Sequence, residues 1–153
     1  MVLLLIGKDL DKKYEYIEQL NKHYHCQIIS RNSYYNCSSF DSPYCGRVHT
    51  DLLDISYLMT EDNIWSSEKT YIIIDSLMFT RYDNQLEDLL MKHKEYGIEV
   101  ILVMDAPMNL STKIKSNIDC VLNVDKDQYR TIKHDCENCL CINADFSKLY
   151  DYF

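Results

Sequence analysis

The chain has 153 residues, 46% of them hydrophobic, with apolar and charged stretches alternating, which is the composition of one globular domain able to bury a core and excludes a disordered or fibrous protein. A formal net charge of −8 excludes a surface that holds nucleic acid through bulk electrostatics, although a local basic groove stays compatible with it. The longest apolar run, Val2 to Ile6, is far short of a membrane span and follows Met1 without a basic segment or cleavage site, so neither membrane insertion nor export is expected.

Seven cysteines, an odd number without an export signal, read as reduced thiols in an intracellular compartment. Val2 to Ile6 is a buried strand stopped by Gly7. Tyr14, Ile17, Leu20 and Tyr24 then recur at helical spacing from Asp11 to Tyr24, with Asp9 or Asp11 as the cap. Gln27 to Ser30 is a short strand, and Arg31 to Cys45 a long polar loop. Leu52, Leu53, Ile55 and Leu58 predict a short helix over Val48 to Met59, and Thr60 to Glu68 a linker.

Thr70 to Ile74 is β-branched and aromatic without polar alternation, as expected of a strand covered on both faces at the centre of a parallel sheet. Asp75 ends it, at the carboxyl edge where open α/β sheets place ligands. Leu86, Leu89, Leu90 and His93 mark a helix over Asp83 to Tyr96, terminated by Gly97. Ile98 to Met104 is a buried strand ended by Asp105, Leu110 to Ser116 a short helix, and Asp119 to Val124 another strand. Cys139 to Asn143 could add a last strand, with Phe146 to Phe153 closing against the sheet. Strands and helices alternate with connections long enough for right-handed crossovers. The expected architecture is a single domain over residues 1–153, doubly wound α/β, with five or six mostly parallel strands and helices on both faces.

The turn after the first strand, Gly7 to Tyr14, can be set beside the phosphate-loop pattern G-x-x-x-x-G-K-[ST]. Gly7 and Lys13 match; Lys12 stands where the second glycine belongs, and Tyr14 where a hydroxyl would reach magnesium. Such loops work because small residues let N–H groups wrap phosphates at a helix N-terminus. Asp9 and Asp11 would oppose a triphosphate there, and three glycines in the whole chain are few for such loops. The alternative is an ordinary strand–turn–helix capped by an aspartate. Asp75 suits a carboxylate holding magnesium through water, or a plain strand end. Ser76 stands where a water-activating glutamate would be, and a hydroxyl is no general base near neutral pH.

From Asp75 onward the order of motifs resembles the FtsK–HerA superfamily of ATPases, most closely the genome-packaging ATPases of poxviruses and other large DNA viruses. In that family a helix with His near its end leads to a buried strand closing on a polar sensor. A Pro-containing turn and an Ile-Arg-x-Asn-x-Asp segment follow. Here His93, Met104 and Pro107 hold those places, Asp105 takes the sensor position, and Ile114-Lys115-Ser116-Asn117-Ile118-Asp119 matches the last segment with Lys115 for Arg. The resemblance implies a P-loop NTPase-like fold and a ring-forming motor for double-stranded DNA. Gly7, Lys13, Asp75, Lys115, Asn117 and Asp119 carry over, while the second loop glycine, the magnesium hydroxyl, the catalytic glutamate and the sensor amide do not. The expectation is therefore a domain that kept the fold and gave up hydrolysis. It would act as a structural or regulatory partner in genome packaging or virion assembly, as a homo- or hetero-oligomer or with another protein, in the host cytoplasm. ATP and magnesium are expected as cofactors only if the eroded site works, for instance with its loop completed by a partner.

A receiver-like signalling domain is the reading from another class, with Asp75 as phosphoacceptor, Asp9 and Asp11 after the first strand and Lys126 after the fifth. Roughly forty residues between its second and third strands oppose it, being longer than usual αβ connections. Asp105 opposes it too, standing where a small hydroxyl residue would be expected. Strand order separates the readings: a receiver makes the first strand and that of Asp75 neighbours, whereas the ATPase fold puts another strand between them. His134, Cys136, Cys139 and Cys141 have spacing compatible with zinc, set against buried, inert cysteines. Lys113, Lys115, Lys126, Arg130, Lys133 and His134 alternate with Asp119, Asp125, Asp127 and Asp135, which reads as a solvated mixed surface more than a DNA groove.

Overall fold

A computed structural model describes residues 1–30, 45–49, 70–75, 83–105 and 110–131. In chain order the elements are β1 (Val2–Ile6), α1 (Leu10–His23), β2 (His25–Ile29), β3 (Cys45–His49), β4 (Thr70–Asp75), α2 (Asp83–Lys92), β5 (Ile98–Met104), α3 (Thr112–Asn117), β6 (Cys120–Asn123) and β7 (Gln128–Thr131). The strands form one sheet in the order β3-β2-β4-β5-β1-β6-β7, parallel throughout except for the antiparallel pairing of β7 with β6.

The apolar runs explain why the central strands are central. Val2, Leu4 and Ile6 of β1 face one side with Ile72 and Ile74 of β4 and Val100 and Leu102 of β5. Leu3 and Leu5, Tyr71 and Ile73, and Ile101 and Val103 face the other. A strand buried on both faces needs a helix layer on each. Helix α1 covers the second face with Tyr14, Ile17 and Leu20, while α2 covers the first with Leu86, Leu89 and Leu90, joined by Ile114 of α3. Each fully buried aliphatic side chain of this kind contributes about 1.5–3 kcal/mol. The expected doubly wound α/β architecture is therefore the observed one.

The strand count differs from expectation at both ends of the sheet. Val48 and His49, expected to open a helix, lie in β3, and Cys45, expected to end a loop, starts that strand. Val48 aligns with Ile28 and His49 with Ile29, so parallel pairing with β2 overrides a local helical pattern. Strand β7 arises where no strand was expected, as the return arm of a hairpin on β6. The rest of the loop after Ser30, the helix expected at 50–59, the linker, Ser76, the Pro107 turn and the strand expected at Cys139 to Asn143 lie outside the described residues. Among the described residues no helix is long and apolar enough to cross a membrane.

Strand order also decides between the two fold expectations. Strand β5 lies between β1 and β4, pairing with both, so the strand of Asp75 is not a neighbour of the first strand. A receiver-like arrangement requires them adjacent, and that reading is set aside.

At the amino edge two polar contacts hold the sheet. The Val2 N–H donates to Asp119 Oδ2 (2.7 Å) and the Asp119 N–H to the Val2 carbonyl (2.9 Å), tying β6 to the start of β1. His93, buried at the end of α2, sits 2.7 Å through Nδ1 from the Ile98 carbonyl; a carbonyl only accepts, so Nδ1 carries the proton. Gly97, at φ +66, makes the left-handed turn between them.

Burial pushes His93 below its ordinary value of 6.5, so on acidification the unfolded chain takes up its proton first. The contribution to stability is complete above 6.5 and is lost as pH falls through that value toward the folded-state one. The urea midpoint is expected to drop between about pH 7.5 and about pH 5, and to drop less in His93→Asn, whose amide can donate to the same carbonyl. An equal drop in both proteins would assign the pH dependence elsewhere.

Candidate functional site

Because β1, β4, β5 and β6 run parallel, their carboxyl ends share one edge of the sheet. Gly7 leaves β1 there at φ +144, and its N–H donates to the Asp105 carbonyl (3.2 Å), fastening the loop to the end of β5. A Cβ on Gly7 would stand 2.6 Å from Val124 Cγ2 and 2.8 Å from Asp125 Oδ1, so the close approach of β6 requires glycine. Helix α1 begins only three residues later, at Leu10. Asp9 is its N-cap, accepting from the Lys12 N–H (3.1 Å), and Asp11 lies in the first turn. Lys12 and Lys13 thus lie in the first turn of the helix.

Three positive groups face this edge, and carboxylates of the chain answer them. Lys13, only 4% exposed, extends its ammonium to Asp105 Oδ1 at 2.6 Å, and that carboxylate stands mostly in solvent. The N–H groups of Lys8 and Asp9 donate to Asp125, at 2.8 Å to Oδ2 and 2.9 Å to Oδ1. Those two bonds, with Lys13 and Lys12 nearby, hold the Asp125 carboxyl below its usual range. Lys12 donates to the Val124 carbonyl (3.3 Å) and lies 3.6 Å from Asp127 Oδ1.

Asp75 ends β4 one strand beyond β5, aligned with Val103. It thus stands about 5 Å to the side of Asp105 and about 7 Å short of it along the strand direction. It accepts from Ser30 Oγ at 3.1 Å, a link to the end of β2. Tyr14, at the place of a magnesium hydroxyl, is buried against the sheet among Leu3, Leu5 and Ile17. A magnesium triphosphate does not fit these residues as they stand. The loop donors already hold a carboxylate, the lysine is neutralised, and the hydroxyl position is committed to the core.

The sheet edge brings together Gly7, Lys13, Asp105 and, one strand over, Asp75. Lys115, Asn117 and Asp119 are elsewhere: α3 leads into β6, so its end lies at the amino edge of the sheet. Asn117 Nδ2 donates to the Lys113 carbonyl (2.8 Å) and finishes the helix, and Asp119 clasps Val2. Asp125 is the residue that sequence reasoning missed, counted only among the acids of a mixed surface. Its signal was present, since VLNVD ends a buried strand on an aspartate as YIIID and ILVMD do, with only Asn123 breaking the apolar run. Among the described residues no group of three His, Cys, Asp or Glu could hold a metal ion. His134, Cys136, Cys139 and Cys141 lie outside the described residues, while Cys26 and Cys120 are buried in the core.

A parallel sheet with the strand of a carboxyl-edge aspartate separated from β1 by one strand, and a helix following β1 at that edge, defines a P-loop NTPase-like α/β fold. No protein-family model matches the sequence, and neither does any curated protein. Solved structures do match. The genome packaging NTPase B204 from Sulfolobus turreted icosahedral virus 2, in complex with AMPPCP, is similar with a TM-score of 0.58 at 18% identity, over 80% of this chain and 73% of that one. The N-terminal domain of zonular occludens toxin from Neisseria meningitidis gives 0.53 at 10% identity, over 80% and 75%. Thermomonospora curvata EccC (ATPases 2 and 3) gives 0.55 at 14% identity, over 80% of this chain and 29% of that one. These neighbours are FtsK–HerA-type P-loop ATPases, and the likeness is one of fold.

The tight meeting of Gly7 with Val124 and Asp125 can be tested directly. Gly7→Ala adds a Cβ at a positive φ and into occupied space, and is expected to destabilise the fold by about 2 kcal/mol or more in urea unfolding. A change within about 0.5 kcal/mol would mean that the β1 and β6 ends are not in contact as described.

Proposed function

We propose that this domain is a catalytically inactive relative of viral DNA-packaging ATPases, acting as a structural or regulatory partner in genome packaging or virion assembly. The observation that carries the reading is the ion pair between Lys13 and Asp105. In phosphoryl transfer the loop lysine serves by placing positive charge on the β- and γ-phosphates. Here that charge is spent on the residue at the sensor position, and a triphosphate would bring its own negative charge against Asp105, Asp9 and Asp125. The substitutions read in the sequence act the same way. Tyr14 supplies no magnesium hydroxyl, Ser76 supplies no general base, and Asp75 is left as a strand-end carboxylate bonded to Ser30.

What the fold retains is a large sheet with two helix layers, suited to assembly with an active homologue or with copies of itself. The packaging role rests on the likeness to B204, described as a genome packaging NTPase. Carrying that role over makes the host cytoplasm the place of action, and protein contacts, with DNA secondary, the mode of action.

Phosphate release from ATP and magnesium is the decisive assay. The wild-type domain is expected to release no more than Lys13→Ala, both remaining at the uncatalysed level. Turnover by the wild type that Lys13→Ala abolishes would replace this reading with that of an active ATPase having a non-standard loop.

A further inference from the structure

We propose that Asp125 is an intramolecular latch: its carboxylate occupies the anion-binding mouth of α1, pins the β6–β7 turn there, and shuts phosphate groups out. The inference rests on the reading of Gly7 to Tyr14 as an altered phosphate loop, and does not require that the domain be inactive.

The contact has the form of anion recognition more than of an incidental surface bond. Two successive N–H groups, of Lys8 and Asp9, each take a different oxygen of one carboxylate. Backbone donors at a helix start bind phosphate in the same manner. Register delivers the carboxylate there. Ile6 aligns with Asn123, and the Val124 N–H donates to the Ile6 carbonyl (2.9 Å), so Asp125 arrives level with Lys8.

The turn is also shaped in advance to present it. Asn123 Oδ1 accepts from the N–H groups of both Asp125 (3.1 Å) and Lys126 (3.3 Å), and Asp127 takes a left-handed φ of 48 to bring the chain back into β7. Lys12 clamps the far side through the Val124 carbonyl and Asp127. Gly7 permits all of this by leaving its Cβ space to Val124 and Asp125. A carboxylate tethered at this distance competes at high effective concentration, so a free phosphate must displace it to reach the donors.

The test is titration with sodium pyrophosphate, followed by calorimetry and by the backbone amide signals of Lys8 and Asp9, on the full chain. Wild type is expected to bind negligibly, whereas Asp125→Ala and Asp125→Asn gain about tenfold or more in affinity, with those two amides shifting at saturation. Asp125→Asn keeps an oxygen that can accept one of the two bonds, so it reports even if the alanine variant folds poorly. Asp11→Asn removes one negative charge from the same turn without touching the latch, and should gain about twofold at most, far less than the Asp125 variants.

The latch is refuted if the variants gain nothing, if wild type binds as well as they do, or if Asp11→Asn gains as much. A failure of that kind leaves the inactive reading standing. Hydrolysis by wild type would overturn the inactive reading, while a gain in Asp125→Asn over wild type would still establish the latch as a brake.

Discussion

A lysine ammonium whose side chain is almost wholly withdrawn from water has to meet an anion, because an unpaired charge in such a place costs several kcal/mol. Lys13 is in that position, carried by the first turn of α1 over the sheet edge. The anion it meets belongs to the chain: Asp105, at the end of the strand beside β1. The insertion of β5 between β1 and β4 makes this pairing geometrically natural, since it places a strand end directly under the helix that carries the lysine. Asp125 does for the backbone donors what Asp105 does for the ammonium, from the strand on the other side of β1. The two neighbours of β1 thus supply the two carboxylates, and the loop between them is closed electrostatically.

The core of the fold was legible because strands buried on both faces leave an unmistakable mark. VLLLI, TYIII and IEVILVM each read as buried strands, TYIII as a central one, and they are three adjacent strands of the sheet. The helices followed from Tyr14, Ile17 and Leu20 and from Leu86, Leu89 and Leu90. What failed were the edges. An edge strand draws its conformation from its neighbour more than from its own residues, so Val48 and His49 gave a helical pattern and still joined β2, and Gln128 to Thr131 gave no pattern.

The site was legible in its parts but not in its pairings. Gly7, Lys13 and Asp105 were each singled out in the sequence, yet an ion pair across 92 positions leaves no local trace. Asp125 was overlooked because charge alternation after Val124 has the look of a solvated turn, and only the register of β6 against β1 shows where that carboxylate arrives. Lys115, Asn117 and Asp119 were matched only as a segment of the resemblance, and α3 deposits them at the amino edge. There Asn117 finishes a helix and Asp119 holds the first residue of β1. Motif order along a chain says which element a residue belongs to, and strand direction decides which end of the sheet it serves.

The central claim is that the donors of the β1–α1 turn and the lysine behind it are satisfied by the chain's own acids. Titrating the wild-type domain with ATP and magnesium while following its backbone amide resonances tests this most directly. The account predicts that the Lys8, Asp9 and Lys13 amides keep their positions at millimolar nucleotide. Saturable shifts confined to those amides would contradict it, because they would show the turn accepting phosphate with Asp105 and Asp125 still in place.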